Sequence, residues 1–190
     1  MLVAVQLLSD TAATLRPISR DEYAQFVATG VFDDEAIELI EGVIVRLPGP
    51  HGPEHDGTLH LLGKRLAAAY ADTAEVRVQC TFDAGEHAQP EPDLAVVPAG
   101  DYRAAHPSVA WLVVEVADSS LARDRNAKAL VYARANVEEY WIVDLVHRTV
   151  EVRTEPAAEG YARLVTLRRG DVLRAPRLSD ATIAIADVLR

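Results

Sequence analysis

Cysteine is almost missing from this chain of 190 residues, where Cys80 stands alone. A single thiol cannot close an internal disulfide, which excludes the small secreted scaffolds stapled by cystine bridges and points to a reducing, cytoplasmic setting. Long apolar runs are missing as well. No stretch approaches the roughly 20 consecutive apolar residues of a membrane helix, so no membrane association is expected. Residues 1–10 are mildly apolar but carry no basic segment and no small-residue cleavage site. They read as a short leader or first strand rather than a signal peptide. Several motifs are also lacking: a phosphate-cradling glycine-rich loop, a Gly-x-Ser-x-Gly elbow, a Cys-x-x-Cys pair and a His-Glu-x-x-His zinc pattern.

Basic charge is in short supply too. Asp and Glu number 29 against 19 Lys and Arg, for a formal net charge of −10 and a pI near 5.0. That counts against nucleic-acid binding, which normally needs a basic footprint. Carboxylates that hold a divalent metal would remove part of the excess, and the C-terminal third is rich in arginine, including Arg148, Arg153, Arg163, Arg168, Arg169, Arg174 and Arg177. Lysine occurs only as Lys64 and Lys128. In a chain that uses arginine almost everywhere, a retained lysine either marks a place that needs a compact ammonium or has escaped codon bias; composition leaves both open.

What is present is enough apolar residue, 49% of the chain, to bury a core, and a length that suits one domain. Ser19 and Glu22 form a capping-box pattern that starts a helix running to about Thr29 and stopping at Gly30. Residues 33–40 read as a second short helical stretch, broken by Gly42, and residues 43–47 as a strand ended by Pro48. Residues 54–71 have helical periodicity through Leu59, Leu62 and Leu66. Residues 75–82 alternate, with Val76, Val78, Cys80 and Phe82 on one face of a strand. Strands follow at 93–97 and 110–116, a helix at 121–135, and strands at 140–144 and 149–153. Residues 161–167 and 172–173 suggest a terminal antiparallel hairpin. The pattern predicts an α/β fold with a central mixed β-sheet flanked by helices.

The segment Ala110–Val116 is apolar except at Glu115. Runs of this kind are buried on both faces, and an ionised carboxylate there costs several kcal/mol unless a cation or donor compensates it. Asp93 stands at the start of its strand and Glu115 near the end of its own. If the strands are antiparallel neighbours, the two carboxylates meet at one edge of the sheet and repel unless a metal or a proton lies between them. The alternative is two separate, solvated strand-end acids. Lys128, Val131, Tyr132 and Ala135 share one helical face that is otherwise apolar, so the lysine is expected at a buried edge; an ion pair with Asp124, four residues earlier, is compatible with that. His51, His55 and His60 read better as solvated loop and helix histidines than as a zinc site, because Gly52-Pro53 intervenes between the first two. Trp111, Tyr140 and Trp141 read as core residues rather than a base-stacking platform.

In order along the chain stand Glu38-Leu39-Ile40-Glu41-Gly42, His55, Glu91-Pro92-Asp93-Leu94, Leu112-Val113-Val114-Glu115-Val116, Asp124…Lys128…Tyr132 and Val137-Glu138-Glu139-Tyr140-Trp141-Ile142-Val143-Asp144. Together they resemble the Uma-two restriction endonuclease family of the PD-(D/E)xK nuclease superfamily. The resemblance implies one restriction-endonuclease-like domain over 1–190, its core at about 15–155, and Mg2+ (Mn2+ as a substitute) held by Asp93 and Glu115. Glu38, from the opening helix, would help to hold the metal or its water. The superfamily lysine normally follows the glutamate by two residues, where this chain has Ala117; the family pattern places it on the next helix, at Lys128. His55 matches a family histidine to which no role is assigned. Asp118 is an acid that the family pattern lacks, and would either join the metal shell or cap the helix. Asn136 replaces a family glycine and can adopt the same left-handed conformation. The implied function is hydrolysis of DNA phosphodiester bonds, with Glu38, Asp93, Glu115 and Lys128 as catalytic residues. The alternative is a module that binds nucleic acid or protein on the same fold without cutting. A homodimer is the preferred assembly, through Tyr140-Trp141 or the terminal hairpin.

Overall fold

The computed structural model describes residues 16–47, 49–71, 73–178 and 181–189; the expected leader or strand at 1–10 lies outside them. Helix α1 (Arg20–Ala28) starts as its sequence dictates, with Ser19 Oγ accepting from the Glu22 N–H and Glu22 reaching back to the Ser19 N–H. Residues 33–40, however, are not helical. Residues 31–35 form turns, and β1 (Ile37–Ile40) pairs with β2 (Val43–Arg46) as a hairpin. Tertiary burial decides this: Glu38, Leu39 and Ile40 are all buried. The two-residue connection, Glu41-Gly42, has φ of +50° and +75°, the doubly left-handed geometry that a tight hairpin requires. Glu38 therefore comes from a strand and not from the opening helix.

Six strands form the central sheet in the order β3 (Ala74–Val78), β4 (Leu94–Pro98), β5 (Leu112–Ala117), β6 (Glu139–Asp144), β7 (Thr149–Ala157) and β8 (Gly160–Leu167). The β5–β6 pair is parallel and every other pair is antiparallel. Strand β3 is shorter than its alternation predicts. The backbone turns at Gln79 (φ +47°), and Phe82 joins the core on the opposite side of the sheet from Val76. A terminal antiparallel hairpin is present, but it is formed by β9 (Val172–Arg174) and β10 (Thr182–Ala184); residues 160–167, expected to pair with 172–173, pair with β7 and extend the main sheet instead. The chain closes with the short helix α5 (Ile185–Val188).

Two apolar layers sandwich the sheet. On one face α2 (Pro53–Tyr70) packs Leu59, Leu62, Leu66 and Tyr70 against Leu94, Val96, Leu112, Val114 and Trp141. The other face carries Ala95, Val97, Val113, Tyr140 and Ile142 beneath a helical segment built from α3 (Leu121–Arg123), a π-helical turn (Asp124–Lys128) and α4 (Ala129–Arg134). Asn136 takes the left-handed conformation just past that segment, at φ +56°. All six residues of β5 are buried. Because side chains alternate along a strand, Leu112, Val114 and Val116 fill the α2 layer, which puts Glu115 on the side of Val113, Ala117 and Tyr132. Tyr140 and Trp141 are fully buried, so they are core residues and cannot form the dimer contact considered for them.

Gly42 is the most constrained glycine of the fold. Besides its positive φ, a Cβ there would lie 2.3 Å from Pro17 Cβ. Gly42→Ala is expected to cost about 2 kcal/mol or more of stability, measured by urea denaturation, since strained φ and steric conflict add. An unchanged midpoint would mean that the hairpin is not held in this register.

Candidate functional site

Strand register brings the two central acids together. Leu94 pairs with Val114 in the antiparallel β4–β5 ladder, and one step further sets Asp93 opposite Glu115. Both are buried, with 7% and 5% of their surface exposed. Together with Glu38, Lys128, His51, His55 and Asp118 they line a cleft of about 220 Å³.

Lys128 holds this centre together. Its Nζ donates to Glu115 Oε1 at 2.9 Å and to Glu38 Oε1 at 3.0 Å, and the side chain is almost fully buried. An ammonium has three N–H donors, so two are spent on carboxylates. Asp124 is not its partner: it accepts from Ser120 Oγ at 2.5 Å instead. Residues 124–128 form a π-turn, and within it the Lys128 ammonium is taken up by Glu115 and Glu38. Tyr132, on α4, adds a third contact by donating its hydroxyl to Glu115 Oε1 at 2.7 Å.

Glu38 spans from the β1 hairpin to the sheet. Its Oε1 also accepts the Glu91 N–H at 2.8 Å, and a backbone bridge between Leu39 and Gln89 fixes the hairpin beside it. Its Oε2 is buried with no hydrogen-bond partner among the described residues. An unpaired oxygen of this kind, on the wall of a cleft that also holds Asp93 and Glu115, is what a cation would satisfy.

Asp93 is held differently. Its Oδ2 accepts the Val116 N–H at 2.8 Å and lies 3.2 Å from His55 Nε2. Its Oδ1 has only a long contact, 3.5 Å, from Gln79 Nε2. Burial works against ionisation of Asp93, but the hydrogen bonds from His55 and the Val116 N–H outweigh it and hold the carboxyl below its ordinary range. His55 is shifted upward. Its burial opposes the charged ring, and the bond and charge of Asp93 overcome that. Lys128 is likewise raised: burial disfavours the ammonium, and Glu115, Glu38 and Asp124 more than restore it. Glu115 moves the other way and is pushed up to about 8. Burial is the main cause; Lys128 opposes it, and Asp124, Asp93 and Glu38 add to it.

The structure thus gathers Glu38, Asp93, Glu115 and Lys128 at one place. It also adds residues not singled out for the site. His55 is not solvated but buried, 5% exposed, and its ring stacks on the exposed His51 with centroids 3.8 Å apart. Gly52-Pro53, expected to separate these two, instead starts α2 at Pro53 and leaves both rings on the same cleft. Tyr132 was legible as the residue four after Lys128 on one helical face. Arg123 lines the cleft with a buried Nε that has no hydrogen-bond partner among the described residues; no spacing in the sequence marks it. Asp118 lines the cleft as well.

A raised carboxylate pKa has a stability consequence. The folded chain holds the Glu115 proton to about pH 8, against an ordinary value of 4.5, so stability falls as pH rises through that window. In metal-free buffer, Glu115→Gln should match the parent near pH 5 and melt several degrees higher above pH 8. Each kcal/mol is worth about 2–4 °C in a chain of this size. Equal melting temperatures at both pH values would show that Glu115 carries no burial penalty.

Comparison with known proteins agrees with this architecture. A crystal structure of a putative nuclease belonging to DUF820, from Anabaena variabilis ATCC 29413, superposes with a TM-score of 0.70 over 90% of this chain and 97% of that one, at 18% identity. At that identity the likeness speaks for the fold. No protein among curated sequences matches the chain. The Uma2 family model, described as "Putative restriction endonuclease", matches residues 20–186. By that match over most of its length, the chain belongs to the Uma2 restriction endonuclease family.

Proposed function

We propose that this protein is a metal-dependent endonuclease that hydrolyses phosphodiester bonds of DNA. The observation that carries the reading is one cleft that gathers three buried carboxylates, Glu38, Asp93 and Glu115, with a buried lysine bonded to the first and last of them. An unpaired Glu38 oxygen lies in the same cleft wall. The donor set is all oxygen, which suits Mg2+, with Mn2+ as a substitute. Asp93 and Glu115 would hold the ion, and Glu38 would support it or its water.

A divalent ion bound there supplies Lewis-acid activation of water and neutralises charge on the phosphate. The protein's own groups do the rest. Asp93 is kept ionised by the Val116 N–H and His55, so it is ready to bind without losing a proton. Lys128 has one N–H donor left after its two carboxylate bonds, which would meet a phosphoryl oxygen as its charge grows in the transition state. The π-turn holds that lysine in place without relying on a loop. Arg123, at the cleft wall, would anchor a neighbouring phosphate of the strand. Val116 and Leu47 line the cleft and exclude water. A homodimer would allow both strands to be cut; the buried Tyr140 and Trp141 are not its contact.

The test is cleavage of supercoiled plasmid in millimolar Mg2+ or Mn2+. Asp93→Ala and Glu115→Ala should each lower the rate at least about 100-fold, the scale on which a single charge-stabilising group acts, with circular dichroism unchanged. Lys128→Ala should lose rate while still binding metal. Arg123→Ala should weaken DNA binding and lower its dependence on salt. Cleavage by Asp93→Ala or Glu115→Ala at the parent rate would sink the assignment. Absence of metal binding at millimolar Mg2+, with DNA or protein still bound, would make the fold a binding module instead.

A further inference from the structure

His51, His55 and Asp93 each offer a ligand atom, and the three atoms lie within 4.8 Å of one another. The oxygen-only site described above uses Asp93 as a ligand and His55 only to hold Asp93, and it leaves both imidazoles without a metal. We propose that these three residues form a second cation position, sharing Asp93 with the carboxylate site, and that it takes a first-row transition cation such as Mn2+ in preference to Mg2+. The inference rests on the proposed metal site only in treating Asp93 as the shared ligand.

Three observations support it. The His55 ring is buried, with Nδ1 3.5 Å from Asp56 Oδ1 and Nε2 toward Asp93. The separation of His55 Nε2 from Asp93 Oδ2 is 3.2 Å. Two ligands at right angles on bonds of about 2.1 Å stand roughly 3 Å apart, so the pair is spaced as neighbouring ligands of one ion. In the metal-free protein a proton fills that gap. His51 is exposed and stacks on His55 with its ring plane inclined by 31°. It makes no side-chain hydrogen bond among the described residues, so its ring can rotate toward a shared ion. Finally, a small recess lined by Gly49, His51, His55, Asp118 and Ser119 opens beside the carboxylate cleft and shares its histidines with it. Asp118 is thereby placed to join the shell or to hold one of its waters.

Ligand chemistry decides which ion. Imidazole binds first-row transition ions, tightly for zinc, copper, iron and nickel and most weakly for manganese, whereas Mg2+ prefers oxygen donors and keeps its waters. The carboxylate position would accept Mg2+ or Mn2+, and the histidine position only the latter. A carboxylate shared between two ions is the arrangement by which attacking and leaving oxygens can both be neutralised.

Isothermal titration of the full chain with Mn2+ and, separately, with Mg2+ tests this. Two Mn2+ but one Mg2+ per chain are expected. His51→Ala, on an exposed loop, should weaken one Mn2+ at least about tenfold and leave Mg2+ binding unchanged. His55→Gln should weaken the same Mn2+ ion. Glu115→Gln should remove the Mg2+ and one Mn2+ while sparing the ion that depends on His51. Equal stoichiometry for the two metals, or two Mn2+ retained in both histidine variants, would overturn the second position and leave the carboxylate site standing. A single Mn2+ that is lost in His51→Ala but kept in Glu115→Gln would do the opposite, supporting the histidine position against the carboxylate one. No binding of either metal would overturn both.

Discussion

An ammonium clasped between two buried carboxylates is the contact on which the rest of this structure turns. Lys128 bonds Glu115 from the sheet and Glu38 from the β1 hairpin, so it ties three separate elements at one point. Each of these groups would be costly to bury alone, and the costs are offset only when all three are together. That requirement explains neighbouring features. The π-turn sets Lys128 at the right angle, and Tyr132 satisfies a second lone pair of Glu115. The Glu91 N–H shares the Glu38 oxygen that faces the lysine.

The same contact leaves the centre rich in acids, with one Glu38 oxygen unpaired among the described residues. A fold optimised only for stability would replace these acids with apolar residues of similar volume. Asp93 is held ionised by donors while Glu115, a few ångströms along the same edge of the sheet, is pushed toward its neutral form. Carboxylates whose surroundings push them apart in this way are the arrangement expected of a functional site, and it lies in a chain of the Uma2 family. The overall charge of −10 is then less of an obstacle than it looks, since part of it sits in the cleft itself.

Several pieces of this were legible from the residues. An acid inside the apolar run 110–116 demanded a partner, and the condition under which Asp93 would meet it, antiparallel pairing of the two strands, is the one the sheet fulfils. Lys128 and Tyr132 lay on one face of a helical pattern, and Asn136 was fit for the left-handed turn it makes. Other pieces were misread. Residues 33–40 have enough charged and apolar spacing to pass for a helix, yet Ile37–Ile40 is a strand because its buried face packs against the loop at Gln89. Residues 75–82 alternate as a single strand would, but Gln79 bends the chain and sends Phe82 to the other core. His55 looked solvated because its partner Asp93 lies 38 positions away, beyond the reach of any local pattern.

Local chemistry, then, settled most of the elements, the stretch at 37–40 excepted, and it singled out Glu115, while Asp93 rested on the family resemblance: periodicity, capping and the cost of a lone carboxylate are all properties of neighbours in sequence. Glu115 needed compensation whatever the fold. What compensates it was decided only in three dimensions. Glu38, 90 positions from Lys128, and the His51–His55–Asp93 group owe their placement to strand register and helix packing. Those are set by the whole buried surface and not by any local pattern.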